Sequence, residues 1–153
     1  MYSKTLYHIR QNRINEYYNT NDKDMTNYID GFVFPIPRIY LNEYKNVAEK
    51  VAEIWREYGA LAYYEYVGED LNLEGTRSFI EVVDLKDDEV IVFGWVVFPS
   101  KETRDLANKQ VPNDSRMSDL VAPLTQSARL IFDATRMVYG GFQPLVQSNN
   151  NNG

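Results

Sequence analysis

The sequence contains no cysteine and a single histidine, His8, which lies in a polar N-terminal stretch. A chain without cysteine cannot form disulfides, thiolate nucleophiles or cysteine metal sites. Because His8 lies outside the expected folded part, that part also lacks the residues for a Ser-His-Asp triad, a histidine-ligated haem or a typical zinc site. We therefore predict neither a metal ion nor a cofactor.

Basic stripes and long apolar runs are also missing. The formal net charge is −6, and no stretch is apolar over the length that spans a bilayer. Nucleic-acid binding depends on Lys and Arg that release phosphate counterions, so the sequence predicts no nucleic-acid partner and no membrane association. Residues 1–13 lack the apolar core of a secretory signal, and we expect a cytoplasmic protein.

The length of 153 residues is that of one domain. Residues 1–27 are polar and lack an apolar period, and residues 148–153 are rich in Asn. Both segments are expected to be disordered or peripheral, and the folded domain is expected to span residues 28–147. Met25 lies just before the first strong strand pattern and is a candidate for the true start of the protein.

From Tyr28 onward the apolar patterns predict strand, helix, two or three strands, helix, strand. The clearest helix spans residues 42–58, where apolar residues recur every three or four positions. Asn42 is its expected N-cap, and Gly59 the left-handed residue that ends it. A second helix begins after Ser100 and reaches about residue 111, and a short helical turn follows at 115–121. The predicted strands are 28–35, 61–67, 78–85, 90–98 and 136–146.

The third and fourth predicted strands form a hairpin around residues 86–89, and Gly140-Gly141 suggests a bulge in the last strand. This order is the βαββαβ pattern of a ferredoxin-like α+β domain with an extra hairpin strand. Such a sheet carries its helices on one face. In segment 90–98 both alternating sets of side chains are apolar, so the opposite face is apolar as well.

An apolar face of that size needs a cover. We predict that a second copy supplies it, which gives a homodimer in the form of a dimeric α+β barrel. The alternative is that the long loops at residues 68–75 and 112–135 fold back over the sheet.

Four segments resemble the bacterial YbaA-like family, a domain of unknown function numbered 1428. They are YIDGFVFPIP at 28–37, WREYGALAYYE at 55–65, VFGWVVFPS at 92–100 and FDATRMVYGGF at 132–142. The family is placed among dimeric α+β barrels, so the resemblance implies that fold and a homodimer. It implies no activity, because the biochemistry of the family is unassigned. Residues 1–27 have no counterpart in the family pattern, and Ile80 stands where the family usually has proline.

Because the expected domain lacks His and Cys, the candidates for catalysis or ligand binding in it are carboxylates, Tyr, Trp and Arg. Glu65 and Glu81 each interrupt an apolar predicted strand. A carboxylate that points into the barrel would have its pKa raised by desolvation and is a candidate general base. The alternative is that it pairs with Arg77 or Arg136, or lies at a wet sheet edge. Asp30 in the first predicted strand is a further candidate for ligand binding.

Arg136 begins the last predicted strand, near Tyr139. A guanidinium there could clamp a carboxylate or enolate ligand, or it could pair with a neighbouring acidic side chain. Trp95 and Tyr64 could line a pocket for a planar apolar ligand, with Tyr139 beside them, or they could be core residues.

Three hypotheses for the function follow. The first is a small-molecule-binding barrel lined by aromatic side chains. The second is a cofactor-independent enzyme, monooxygenase- or isomerase-like, acting on an aromatic or enolisable substrate. In that case Glu65 or Glu81 is the base and Arg136 holds the anion. The third is a structural or partner-binding dimer without a ligand.

Overall fold

The computed structural model describes residues 27–148. The predictions for residues 1–26, including His8 and a start at Met25, and for residues 149–153 lie outside the described residues. Residues Asn27–Gln143 form one compact unit, and the described residues that follow it, 144–148, contain no helix or strand. Within residues 27–148, no helix combines the length and the hydrophobicity that crossing a bilayer requires.

The chain is a mixed α+β protein, as its patterns predict. In chain order its helices and strands are β1 (Tyr28–Pro37), α1 (Leu41–Glu57), β2 (Ala62–Val67), α2 (Phe79–Val83), β3 (Glu89–Phe98), α3 (Lys101–Gln110), α4 (Ser115–Val121), β4 (Thr125–Gln126), β5 (Arg129–Leu130) and β6 (Val138–Phe142). Four strands form an antiparallel sheet in the order β2-β3-β1-β6, and β4 pairs with β5 in a separate hairpin. The main sheet is open, with β2 and β6 at its edges.

Strand β1 extends two residues beyond the predicted end at residue 35, so that Pro35 and Pro37 both lie inside it. Pro35 pairs with Ile91 and Pro37 with Glu89 of β3. Strand β6 pairs with β1 only as far as Val33. Both prolines therefore lie where β1 has a neighbouring strand on one side only, and a missing N–H is tolerated there.

The helices cover one face of the sheet, and two buried clusters hold them there. One cluster joins α1 and the β4-β5 hairpin to the sheet; its buried members are Phe34, Ile36, Tyr44, Val90, Val92, Leu124 and Ile131. The other joins α1, α3 and α4 to β3; its buried members are Ile54, Ala60, Val96, Phe98, Ala107 and Val111. All sheet residues in both clusters belong to the same alternating set, which fixes the helix-covered face.

The ends of the helices partly match the predictions. Ser100 caps α3, because its Oγ accepts a hydrogen bond from the Thr103 N–H at 3.1 Å. Gly59 follows α1 with a φ of 106°, the left-handed conformation expected of it. Asn42 is not the N-cap of α1. The helix begins one residue earlier, at Leu41, directly after a 3-10 turn, Arg38–Tyr40, and has no side-chain cap.

Residues 78–85 form a helix and not the predicted strand, so the predicted hairpin with β3 does not exist. The Ser78 hydroxyl accepts a hydrogen bond from the Ile80 N–H at 3.1 Å and caps α2. Arg77 and Glu81 pair one turn apart, and Asp84 ends the helix with a φ of 49°. These local contacts outweigh the strand preference of the β-branched residues in this segment.

The last strand is shorter than predicted and contains no bulge. Arg136 belongs to a 3-10 turn, Ala134–Arg136, and β6 pairs with β1 without interruption through both glycines. Gly141 is needed for space, since a Cβ there would overlap the guanidinium of Arg104 and lie 2.6 Å from the Tyr28 hydroxyl. The Gly140-Gly141 pair reflects this close approach and not an inserted residue.

The face of the sheet opposite the helices is partly covered by the chain itself. Val83 of α2, with Leu71 and Leu85, packs on Val33 and Ile91. The alternative of a loop folding over the sheet is therefore correct only in part. Leu71 of the loop at 68–75 takes part in the cover, whereas Val83 and Leu85 lie in the segment that was predicted to be a strand. Loop 112–135 packs on the helix side, through Leu124 and Ile131 of the first cluster.

The rest of that face is exposed, and we call it the open face. Among its large side chains are Tyr64, Tyr66, Phe93, Trp95, Val138 and Phe142. Trp95 is half-buried, and the other five are between 41% and 59% exposed. Their rings pack on one another, with Tyr66 stacked on Trp95 at 5.5 Å and Phe93 5.8 Å from Trp95. The described chain thus leaves an aromatic surface without a cover.

Candidate functional site

A cavity of about 500 Å³ lies between the helices and the covered face of the sheet. Aromatic and aliphatic side chains make up most of its wall, among them Phe32, Phe34, Val51, Trp55, Met117 and Phe132. Six polar side chains also line it: Asp30, Tyr44, Tyr63, Glu65, Asn108 and Tyr139. All of these residues belong to the unit Asn27–Gln143.

Two regular patterns build most of this wall. Helix α1 contributes residues from one face at helical spacing, beginning with Tyr44 and ending with Trp55. Strand β1 contributes one alternating set that includes Phe32 and Phe34. Gly94 of β3 leaves room for Phe32, because a Cβ there would lie 2.5 Å from its ring.

Helix α4 forms part of the cavity wall, and a small polar cluster ties it to the end of α1. Asp114 caps α4 by accepting a hydrogen bond from the Arg116 N–H at 2.9 Å. The same carboxylate accepts a bond from the Tyr58 hydroxyl at 2.8 Å. With α4 held in this way, Met117 and Val121 reach the cavity wall.

Glu65 of β2 forms the first polar cluster of the cavity. The Tyr44 hydroxyl lies 2.7 Å from Oε1 and 2.8 Å from Oε2, and the Tyr63 hydroxyl lies 2.9 Å from Oε1. Desolvation raises the pKa of Glu65, and the two hydrogen bonds oppose that rise. Burial, together with the nearby charge of Glu65, raises the pKa of both tyrosines far above 10, so both remain protonated and donate.

Asp30 of β1 forms a second polar cluster and is almost completely buried. The Nε of Arg104, on α3, lies 2.8 Å from its Oδ1, and Asn108 donates to Oδ2 at 3.3 Å. Asn108 also lies 3.4 Å from the Tyr139 hydroxyl. Burial raises the pKa of Tyr139, and the nearby Asp30 carboxylate adds to the rise. The charge of Asp30 is therefore compensated within the protein.

A groove of about 410 Å³ lies between α1 and the edge strand β2. Tyr44, Ala48, Tyr63 and Glu65 line both this groove and the cavity. The Glu65 cluster is thus the boundary between the two spaces, and the carboxylate adjoins both.

The structure separates the sequence candidates into two groups. Glu65, Asp30 and Tyr139 line the cavity. Tyr64 and Trp95 lie on the open face, with ring centroids 5.3 Å apart, because they belong to the alternating set that faces away from the helices. They do not line the cavity.

The other two candidates are held by ion pairs outside the cavity. The guanidinium of Arg136 lies 2.5 Å from Oε1 and 2.9 Å from Oε2 of Glu89, and it also donates to the Val83 and Asp84 carbonyls. Arg136 is paired with Glu89 and does not line the cavity, so it does not clamp an anion there. Glu81 lies on α2, exposed to solvent and 2.9 Å from Arg77, and it is not a desolvated base.

Four polar residues of the two clusters were not among the candidates: Tyr44, Tyr63, Arg104 and Asn108. Helical spacing places Tyr44 on the apolar face of α1, and Arg104 and Asn108 lie four residues apart on one face of α3. For Arg104 and Asn108, the signal in the sequence is a polar pair at that spacing next to apolar helix positions. Among residues 27–148, no group of three or more acidic side chains could hold a metal ion.

Comparisons with known proteins identify related chains. A family model described as "Protein of unknown function (DUF1428)" matches residues 27–133. The uncharacterized protein YbaA of Escherichia coli K12 and that of Shigella flexneri are each 34% identical over 119 residues, covering 78% of this chain and 97% of theirs. A de novo designed protein, Foldit4, has a TM-score of 0.36 and 10% identity, and the match covers 79% of this chain and 98% of the design. That score is too low to bear on the fold.

Proposed function

The chain belongs to the DUF1428 family of proteins of unknown function, and from that premise we propose that it binds a small molecule in the cavity between the helices and the sheet. The observation that carries this proposal is the cavity itself. Its volume of about 500 Å³ and its apolar wall with a few convergent polar groups are typical of small-molecule sites.

The same cavity weighs against a purely structural role. Protein interiors are close-packed, and a space of this size leaves apolar side chains in contact with solvent that tighter packing would bury. A protein whose only task is to pair with a partner has no need of such a space. A ligand that fills it covers those side chains and stabilises the folded state.

The enzyme hypothesis is supported by one observation, the raised pKa of the partly buried Glu65. Two features favour binding over catalysis. Two tyrosine hydroxyls hold the Glu65 carboxylate by hydrogen bonds, and among residues 27–148 the lining includes no Lys, Arg or His to hold a developing anion. A cofactor-independent enzyme with Glu65 as base therefore stays the second candidate, without the anion holder predicted for it.

The finer fold assignment and the homodimer are part of the same proposal. The strand order β6-β1-β3-β2, all antiparallel, supports a ferredoxin-like domain. The open face supports pairing with a second copy into a dimeric α+β barrel, because stable interfaces are built on exposed apolar surfaces of this kind. A cytoplasmic location stays a prediction.

A cavity-filling variant tests the proposed site. Ligand-observed NMR with a library of small aromatic compounds should give hits with the native chain. Val51→Trp, which fills the cavity from α1, should abolish the binding of these hits. Asn46→Trp places the same ring on the exposed side of α1 and should leave binding unchanged. Hits that bind Val51→Trp as well as the native chain, or a library without hits, would contradict the proposal.

A further inference from the structure

The cavity carries one negative charge that no side chain of residues 27–148 compensates. Among these residues, the only charged ones in its lining are Asp30 and Glu65. Asp30 pairs with Arg104, as described above. Glu65 takes part in none of the ion pairs found among residues 27–148. Its two partners, Tyr44 and Tyr63, are neutral hydroxyl groups.

Glu65 also has unused capacity to accept hydrogen bonds. An ionised carboxylate offers about four acceptor positions on its two oxygens. Oε1 accepts from both tyrosines, whereas Oε2 receives only the bond that it shares with Oε1 from Tyr44. A further donor can therefore be accommodated at Oε2.

The wall around this carboxylate suits a cation attached to an apolar body. Phe34 lies edge-on to Tyr44 at 5.6 Å and to Phe132 at 5.1 Å, and all three line the cavity. Faces of aromatic rings attract cations when water is excluded. An anionic ligand would meet the charge of Glu65 with no cationic lining residue to offset it, and desolvation makes that repulsion costly.

We propose that the ligand of this cavity is an amine with an aromatic or aliphatic body, whose ammonium group binds Glu65 at Oε2. The ammonium supplies the countercharge that the described chain does not, and the body of the ligand packs against the aromatic wall. This inference rests on the proposed function, because it requires the cavity to be a ligand site.

Three indoles of similar shape and different charge test the inference. Isothermal titration calorimetry at about pH 8 compares tryptamine, which is cationic, with neutral 3-methylindole and anionic indole-3-acetate. A charge-assisted hydrogen bond should make tryptamine bind at least about tenfold more tightly than 3-methylindole. Indole-3-acetate should bind most weakly.

Equal binding of the three, or tightest binding of indole-3-acetate, would overturn the inference and leave the cavity as a ligand site. Absence of tryptamine binding would overturn it as well. The library screen on Val51→Trp then decides the proposed function separately.

Glu65→Gln identifies the residue responsible, because it keeps the shape and removes the charge. It should lose the preference for tryptamine and retain the binding of 3-methylindole. Glu81→Gln removes an exposed carboxylate from α2 and should retain the preference. A preference that survives in Glu65→Gln would overturn the assignment. Should circular dichroism show that Glu65→Gln does not fold, the ranking of the three indoles by the native chain decides the inference.

Discussion

Glu65 and Glu89 lie on neighbouring strands, but their partners differ in charge. Desolvation raises the pKa of Glu65 above its ordinary value of 4.5, and the hydrogen bonds from two neutral tyrosines offset only part of that rise. The Arg136 guanidinium lowers the pKa of Glu89 below the same value. Between pH 4.5 and the raised pKa of Glu65, the folded protein therefore retains a proton on Glu65 that the unfolded chain has lost. Below pH 4.5 the folded protein keeps Glu89 ionised where the unfolded chain becomes protonated. Glu65 therefore lowers the stability as the pH rises, whereas Glu89 lowers it as the pH falls.

We expect two Gln variants to show these opposite signs. The native chain should lose stability relative to Glu65→Gln as the pH rises from 4.5 through the raised pKa of Glu65. Above pH 4.5 the free energy of unfolding of the native chain should exceed that of Glu89→Gln by about 1–3 kcal/mol, because the variant removes the carboxylate that pairs with Arg136. That advantage should shrink as the pH falls through the lowered pKa of Glu89. Urea unfolding between about pH 3 and pH 8 measures both differences.

The same pH dependence in both variants would contradict this account, as would a stability difference for Glu65→Gln that does not change with pH. Glu81→Gln serves as the control, because its carboxylate is exposed. It should follow the native chain within about 0.5 kcal/mol throughout.

At this scale the sequence identified residue types more reliably than their surroundings. Glu65, Asp30 and Tyr139 could be singled out because each is a polar residue in an apolar strand. The partners of the candidates could not be found in this way. The Arg136–Glu89 pair joins residues 47 positions apart, and the Arg104–Asp30 pair residues 74 apart. Sequence periodicity carries no information about such long-range pairs.

At the scale of elements, α2 shows where local contacts and tertiary packing override a strand pattern. Residues 78–85 carry the β-branched residues of a strand, yet they cap and pair as a helix. The helix turns Val83 onto Val33 and Ile91, where it is 4% exposed, while Val82 is 43% exposed. The long helix α1 was predictable because its apolar period extends over 17 residues. A helix of five residues is too short for a period to be read.

This difference predicts unequal effects at adjacent positions of α2. Val83→Ala should destabilise the protein by about 2 kcal/mol, since it opens a void against Val33 and Ile91 on the face opposite the other helices. Val82→Ala should change the stability by less than about 0.5 kcal/mol, because Val82 is largely exposed. Chemical unfolding of the two variants measures both values. Similar losses at the two positions would contradict the packing described for α2.

At the scale of the whole molecule, the two faces of the sheet differ in how far they are covered. Among residues 27–148, α1, α3 and α4 cover one face, α2 covers part of the other, and the open face is left with exposed aromatic rings. The alternation in β3 already predicted that both faces are apolar. It could not show that residues 68–85 cover part of the second face. That cover depends on the packing of Leu71, Val83 and Leu85, which leaves the remainder of the face exposed among residues 27–148.

The proposed homodimer is tested by one charge placed on the open face. Phe93 is 41% exposed there and contacts Trp95 and Phe79. Phe93→Asp should shift the protein from dimer to monomer in sedimentation velocity at micromolar concentration, because an interface that buries the added carboxylate without a partner charge is strongly disfavoured.

Leu106→Asp is the matched control, since Leu106 is 54% exposed on α3, on the helix side of the sheet. It should leave the dimer intact. A native chain that sediments as a monomer, or two variants that dissociate equally, would contradict pairing through the open face. The native chain is measured first, because a monomer at that step would by itself contradict a homodimer built on the exposed aromatic rings of β2, β3 and β6.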